Sequence, residues 1–429
     1  QNVGRWLVGL FVVALVAWLT GMPLIAYHFH RITPWAILGS VVLFPLVSLT
    51  MLFGFAKLLL AGVFPVIGWL LSWPLRIFSD ITISTAECLS KLPYSNINTA
   101  PPPLWFIAIF YLLLVWAGLS VRRGKGVTRV TLVGLLIWMI AFVWWTPFQQ
   151  KPQPRGPTRL DVLAVGHGCA AVLELPDGKV ICYDAGSMSN FSMGDNIIVP
   201  FLRTRGIQSL DALFISHDNI DHFSGVLEVC RDFDVKAVYV SEYLYRNRGA
   251  ACEFLLKALS DSDIPLRQVN RQSCPFSSDA PEHEAYKIDV LWPPKPQINN
   301  DLDSNDSSLV LRVSDSQGAI LLCGDIGPRP QQQLMQLEST GQLRADVLLL
   351  PHHGSTTTIL PTFVEAVDPE ICLSSDGQLQ QRSFEKLQLM LPGRKIIHTF
   401  ELGAVRVGLT KDGIKIDSYH KDNHTENDK

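Results

Sequence analysis

Charge is what the first third of this 429-residue chain lacks. No Asp, Glu, Lys or Arg occurs in residues 6–30, 32–56, 58–75, 92–121 or 130–150. From Gln1 to Gln150 there are nine Lys or Arg and only two Asp or Glu. So little charge excludes a water-soluble surface for this part. A bilayer core takes roughly 20 apolar residues per helix. The charge-free runs predict spans at about 6–27, 34–56, 58–75, 104–121 and 130–146. What the rest of the chain lacks is a basic surplus. From Lys151 onward it holds 27 Lys or Arg against 37 Asp or Glu, a local net charge of −10. That balance excludes capture of a polyanion by bulk charge alone. Internal repeats are absent too, which excludes a solenoid. Seven of the eight cysteines lie in this second part: Cys169, Cys182, Cys230, Cys252, Cys274, Cys323 and Cys372. Cys182 and Cys323 sit inside apolar runs and read as buried thiols. Cys252 and Cys274 are a candidate pair in an oxidising compartment, although spacing alone does not establish it.

The second and third spans are separated only by Lys57 and interrupted by Pro45 and Pro65. They read either as two spans or as one broken or re-entrant pair, which is tolerated where protein covers the freed backbone. The first span is no signal peptide, because several more follow it. Trp144 and Trp145 close the last span as interfacial anchors do. Arg122-Arg-Gly-Lys125 with Arg129 is the densest basic patch between spans, and short basic loops stay in the cytoplasm. One further crossing makes residue 147 onward extracytoplasmic. The chain starts at Gln1 rather than Met, so a fragment or a processed form is expected.

Residues 147–158 are polar and Pro-rich, a linker by composition. A second domain is expected over 159–420, with a charged, disordered tail at 421–429. Strands are predicted at 160–166, 170–175, 180–184, 211–216, 237–241, 288–292, 308–313, 319–323, 346–350, 371–374, 395–398 and 405–409. Helices are predicted near 196–206, 222–232, 250–261, 328–340, 360–367 and 381–391. Residues 266–306 form the loosest stretch, broken by prolines.

Four of the strand-like runs share one design. Each is continuously apolar, as a strand buried on both faces is. Each then stops at a residue able to hold a metal. Lys179-Val-Ile-Cys-Tyr reaches Asp184; Asp211-Ala-Leu-Phe-Ile-Ser reaches His217-Asp-Asn-Ile-Asp-His222. Ala319-Ile-Leu-Leu-Cys-Gly reaches Asp325, and Ala345-Asp-Val-Leu-Leu-Leu-Pro reaches His352-His353. Packed side by side, such ends form one rim. Each residue also has a bland reading: Asp325 as a helix cap, Asp184 as a turn former, His352-His353 as capping, Asp218 and Asn219 as turn residues. Recurrence at several strand ends favours a shared site. The metal candidates are His217, Asn219, Asp221, His222, Asp325 and His353, with Asp184, His352 and His167 secondary. His353 is preferred to His352 because it stands one step further from the strand end. Asp221 and Asp325 are the candidate catalytic residues, Asp325 as the bridge between two ions.

These motifs resemble the metallo-β-lactamase fold, an αββα sandwich with a two-metal site at the rim of its sheets. The likeness is greatest to the ComEC family of competence membrane proteins. It is carried by Leu160-Asp-Val-Leu-Ala-Val-Gly-His-Gly-Cys-Ala170, Asp184-Ala-Gly186 and Val199-Pro-Phe-Leu-Arg-Thr-Arg-Gly-Ile207. Asn305 to Leu311, Leu322-Cys-Gly-Asp-Ile326 and His352-His-Gly-Ser355 extend it. In the membrane part, Pro23-Leu-Ile-Ala-Tyr-His-Phe-His30 also fits. The resemblance covers nearly the whole chain, with the family's more N-terminal membrane portion missing. It implies an α-helical transmembrane domain, a divalent-metal hydrolase domain (Mn, Zn or Mg), a bacterial inner-membrane location and single-stranded DNA as partner, alongside lipid and other uptake proteins. The implied function is DNA uptake with degradation of one strand. Two positions depart from the family pattern. His167-Gly-Cys169 stands where Gln-Gly-Asp is usual, and Asn219 where Asp is usual. Asn is the weaker ligand, whereas His167 and Cys169 offer softer donors. A membrane-tethered hydrolase of small esters or phosphodiesters, or a non-catalytic DNA-binding module, are the alternatives. Arg203, Arg205, Arg246, Arg248, Arg267 and Arg271 are a candidate track for the polyanion, or else solvated helix and loop ends.

Overall fold

The computed structural model describes residues 2–29, 31–95, 97–99, 102–124, 129–148, 156–190, 192–246, 249–271, 273, 275–277, 285–297, 302–377 and 381–419. Cys274, Arg248 and the tail at 421–429 lie outside them. The chain divides into two compact units, Gln1–Gln150 and Lys151–Lys429.

The first unit holds helices α1 (Asn2–Phe29), α2 (Ala36–Leu60), α3 (Pro65–Ser90), α4 (Leu104–Arg122) and α5 (Arg129–Phe148). Among the described residues, four helices are long and apolar enough to cross a membrane: Gly4–Phe29, Ala36–Leu60, Pro65–Ser90 and Leu104–Arg122. The described apolar part of α5, Arg129–Phe142, is shorter. A helix suits the bilayer because it satisfies every backbone polar group within itself. The large apolar side chains point outward accordingly; Leu58, Leu59 and Trp69 are all exposed. Met22, Ala26, Phe106, Phe110, Trp138 and Phe142 form the interior cluster that joins α1, α4 and α5. The expected span at 58–75 is displaced. Helix α2 runs past Lys57 to Leu60, and α3 begins at Pro65 and continues to Ser90. Proline is tolerated at the first helical position, where its missing N–H has no partner to lose. The charges of α3 beyond the charge-free window sit outward, Arg76 and Asp80 pairing at 3.9 Å one turn apart.

In the second unit two sheets lie face to face. The strands of these two sheets in chain order are β1 (Arg159–Val162), β2 (Ala170–Glu174), β3 (Val180–Ala185), β4 (Ala212–Ile215), β5 (Val238–Ser241), β6 (Leu266–Val269), β7 (Phe276–Ser277), β8 (Tyr286–Trp292), β9 (Val310–Asp315), β10 (Gly318–Leu322), β11 (Val347–Leu349), β12 (Ile371–Ser374), β13 (Lys395–His398), β14 (Val405–Thr410) and β15 (Gly413–Ser418). The first sheet has the order β6-β5-β4-β3-β2-β1-β14-β15, and the second β7-β8-β9-β10-β11-β12-β13. Each sheet is parallel on one side and antiparallel on the other. In the first, β3, β4, β5 and β6 run parallel; in the second, β10, β11, β12 and β13 do.

Strand side chains alternate between faces, and both faces are covered. In β4, Ala212 and Phe214 enter the core between the sheets, while Leu213 and Ile215 enter a second cluster with Val199, Val226 and Leu255 of the covering helices. In β10, Ile320 and Leu322 face the inter-sheet core, and Leu321 meets Leu334 and Phe363 on the other side. The result is helix, sheet, sheet, helix. Double burial is the reason the parallel strands read as unbroken apolar runs.

Candidate metal centre

Open sheets place ligands at the carboxyl ends of their parallel strands. Here those ends carry the chemistry. Asp184 closes β3, residues 216–223 follow β4, Asp325 follows β10, and His353 follows β11. One donor atom each from Asp221, His222, Asp325 and His353 lies within 4.8 Å of the others. His222 Nε2 stands 3.2 Å from Asp325 Oδ1 and 3.9 Å from Asp221 Oδ2. His353 Nε2 stands 3.5 Å from Asp221 Oδ2 and 3.6 Å from Asp325 Oδ2. All four side chains are buried.

The donors fit a divalent cation. Two atoms each about 2.1 Å from a tetrahedral ion stand about 3.4 Å apart, which is the spacing seen. The Nε2 atoms of His217, His222 and His353 and Oδ1 of Asp325 are buried with no aligned hydrogen-bond partner. Buried polar atoms are rarely left so unless something absent satisfies them. Imidazole and carboxylate are the donors that zinc and neighbouring divalent metals take.

Surrounding residues aim these donors. Asp184 Oδ2 accepts from His222 Nδ1 at 2.8 Å, and Asp184 Oδ1 accepts from the Ser216 N–H at 2.7 Å. A hydrogen on Nδ1 leaves Nε2 with its lone pair toward the cluster. Ser216 Oγ lies 2.9 Å from His217 Nδ1, and the rings of His217 and His222 are 4.2 Å apart. Asp184, His352 and His353 all have left-handed backbones, with φ of 57°, 50° and 55°. Such strain costs about 1–3 kcal/mol per residue and collects at functional sites. Glycines let the backbones meet. A Cβ on Gly186 would fall 2.3 Å from the Asp221 carbonyl carbon, and one on Gly168 2.4 Å from the Gly186 oxygen.

Three carboxylates in this space need compensating charge. Burial disfavours a charged His222, but the Asp325 and Asp184 carboxylates overrule it and hold the imidazole well above its ordinary value. Burial likewise opposes charge on Asp325, yet His222 and His353 keep it well below the carboxylate range. Asp221, against the same opposition from burial, is held at about 2 by His353 and His222. Burial raises Asp184. Burial drops His217 to about 3, which leaves it neutral. A raised proton affinity at His222 thus offsets part of the carboxylate charge.

Asn219 donates from Nδ2 to Asn305 Oδ1 at 2.7 Å and accepts from Ser304 Oγ at 3.1 Å. Both ends of its carboxamide are thereby engaged by the neighbouring loop. His352 stands outside the four-donor group; its backbone N–H donates to the Gly324 oxygen at 3.0 Å. His167 Nε2 lies 3.7 Å from Asp221 Oδ2, with its side chain 40% exposed at the edge of the group. Burial and the nearby His353 charge lower its affinity for a proton. Of the arginines proposed as a track, Arg203 is buried against Asp232 and Arg205 grips Glu174. Arg267 lies over the Tyr239 ring and Arg246 over Tyr243.

Cys169 and Ser375 line the cavity with His222, Asp325 and His353. A buried pair, His398 Nδ1 and Asp376 Oδ2 at 2.9 Å, ends the next two strands of the same sheet. The rule applied to four runs would have found it: Ile371-Cys-Leu-Ser374 also ends at a carboxylate, Asp376, and β13 ends at His398.

Comparison with known proteins follows this division. Residues 165–371 match the metallo-beta-lactamase superfamily model, and residues 1–124 match the Competence protein model. The chain is therefore a membrane protein that joins apolar helices to a metallo-β-lactamase-fold domain. Its relatives include ComE operon protein 3 of Bacillus subtilis, 22% identical over 95% of this chain and 51% of that protein. Competence protein ComA of Neisseria gonorrhoeae is 25% identical over 96% of this chain and 52% of that protein. The uncharacterized protein YcaI of Escherichia coli is 27% identical over 78% and 36% respectively. The domain pair is that of the ComEC family of competence proteins. The chain spans about half the length of the first two relatives. Among solved structures, the metal-dependent hydrolase Tm1679 of the β-lactamase superfamily aligns with TM-score 0.37 and 13% identity, over 57% of this chain and 96% of that one.

Proposed function

We propose that the chain is a DNA-uptake protein of the bacterial inner membrane, whose extracytoplasmic metallo-β-lactamase domain hydrolyses phosphodiesters of one DNA strand while the other enters. The observation that carries the hydrolytic reading is the buried convergence of Asp221, His222, Asp325 and His353 with unpartnered Nε2 atoms. The outer location rests on the basic patch between α4 and α5.

In this reading Asp221, His222, Asp325 and His353, with His217 beside them, are the residues that would hold divalent metal. When bound, such ions supply Lewis-acid stabilisation of the phosphoryl charge and a nucleophile at neutral pH. The chain's own residues prepare the site. Asp184 keeps the His222 proton on Nδ1. Asn219 ties the metal loop to Ser304 and Asn305 rather than ligating. Leu349 and Leu350 line the cavity. His167, at the edge, offers an imidazole to a phosphate oxygen. The acidic domain gains its attraction for DNA from the ions, since Arg203 and Arg205 are committed to carboxylates.

The test is cleavage of a single-stranded oligonucleotide by the full chain in detergent with Mn or Zn added. Asp325→Ala and Asp221→Ala should each lower the rate by at least about 100-fold while circular dichroism is unchanged. Equal cleavage by wild type and Asp325→Ala would refute the reading.

A further inference from the structure

Cys169 is left without a role by the proposed hydrolysis. It immediately precedes β2 and is 4% exposed. Its backbone N–H donates to the Asp221 oxygen at 3.0 Å, and its carbonyl accepts from the Gly186 N–H at 2.9 Å. The residue is therefore clamped against the segment that carries Asp221 and His222. Its side chain lines the cavity with His222, Asp325 and His353. One donor atom each from Cys169, Asp184 and His222 lies within 4.8 Å of the others.

Asp184 is already committed through both oxygens, to Ser216 and His222. The Nε2 atoms of His222 and His353 are buried and unpartnered. The sulfur lines the same cavity as the two imidazoles and the Asp325 carboxylate, although its own donor group is with Asp184 and His222. Other buried thiols are turned elsewhere. Cys182 Sγ contacts the Asp184 carbonyl oxygen, and Cys323 and Cys372 pack with Leu334 and Phe363 on the outer face of the second sheet. Mg and Mn favour oxygen donors, whereas zinc accepts thiolate, imidazole and carboxylate together.

We propose that Cys169 is a thiolate ligand of the ion held by His222, Asp325 and His353, and that it makes this centre selective for zinc over manganese and magnesium. The inference rests on the metal-centre reading given under the proposed function. On binding, the sulfur lone pair goes to the ion and the thiol proton goes to solvent.

The test uses the full chain in detergent, stripped of metal and loaded with cobalt(II). The wild type should show the near-ultraviolet thiolate-to-cobalt charge-transfer band. Cys169→Ser should lose the band while cobalt remains bound. Cys169→Asp should lose it as well, and its zinc-over-manganese preference in competition should fall by at least about 10-fold. X-ray absorption of the zinc-loaded wild type is independent of variant folding and should show a sulfur shell at about 2.3 Å. Bound cobalt without the band, a band that survives Cys169→Ser, or a zinc shell of nitrogen and oxygen alone would overturn the role of Cys169 and leave the metal centre standing. A chain that takes up neither cobalt nor zinc overturns the metal centre itself, and this inference with it.

Discussion

Replacement of Asp184 by asparagine isolates one hydrogen bond from the shape around it. The aspartate is fully buried and accepts twice, from the Ser216 N–H and from His222 Nδ1. Asparagine has nearly the same volume but only one accepting end. If its oxygen serves Ser216, its NH₂ meets His222 Nδ1. The imidazole must then carry its hydrogen on Nε2, aimed at Asp325. If the amide is reversed, the NH₂ faces the Ser216 N–H and a buried donor is orphaned. Either arrangement costs about 1–3 kcal/mol of stability. The first also blocks a ligand. Loss of such an orienting partner lowers metal affinity by about 10–100-fold, or about 1.4–2.7 kcal/mol. Zinc competition against a chromophoric chelator measures the affinity, and denaturation with and without chelator measures the rest. Asp184→Asn should bind zinc in that weaker range, and zinc should stabilise it less than wild type. Wild-type affinity in Asp184→Asn would refute the claim that Asp184 sets the His222 tautomer for an ion.

Gly186→Ala drives a methyl group into the Asp221 backbone at 2.3 Å. It should cost about 1–3 kcal/mol and weaken zinc binding together with stability, read by the same two assays. Phe214 is fully buried between the sheets and stacks on Tyr239 at 4.8 Å, so Phe214→Ala should destabilise the domain by about 3–5 kcal/mol in chemical denaturation. Protons and the ion compete for His222. Burial opposes charge on the metal-free imidazole, but the carboxylates of Asp325 and Asp184 hold it well above its ordinary value, so a proton competes there more strongly than at an ordinary histidine. Zinc affinity should therefore fall as pH falls, about tenfold per pH unit for each proton displaced. His217 contributes no such step there, being neutral down to about pH 3. An affinity flat from neutral to mildly acidic pH would contradict this.

The parallel strands were legible in the sequence because they are buried on both faces. Val238–Ser241, Ile371–Ser374 and Lys395–His398 fall within a residue of their expected bounds. Three edge strands were not, Phe276–Ser277 being the shortest of them. Gly413–Ser418 alternates exposed and half-buried residues, and its polar side chains hide the pattern; the Asp412-Gly413 pair between it and β14 was the usable hairpin signal. Leu266–Val269 is mostly exposed and lies in the stretch read as loose. The third membrane helix was displaced because a charge-free window was taken as its extent. A helix with an exposed face carries Arg76, Asp80 and Glu87 without interruption. In the candidate site, the strand ends pointed to Asp184, His222, Asp325 and His353, and the structure brings these side chains together. Sequence spacing could not show that the Asn219 carboxamide turns to Ser304 and Asn305, 85 and 86 residues away. Nor could it show that Cys169 enters the cavity, since that depends on the close approach permitted by Gly168 and Gly186.

The most direct measurement is an anomalous difference map from crystals of the chain grown with zinc or manganese. The account predicts a peak enclosed by His222 Nε2, His353 Nε2 and the Asp221 and Asp325 carboxylates, about 2.0–2.2 Å from each ligand atom. An ordered rim with no peak there, and with His222 Nε2 donating a hydrogen bond to Asp325 instead, would contradict it.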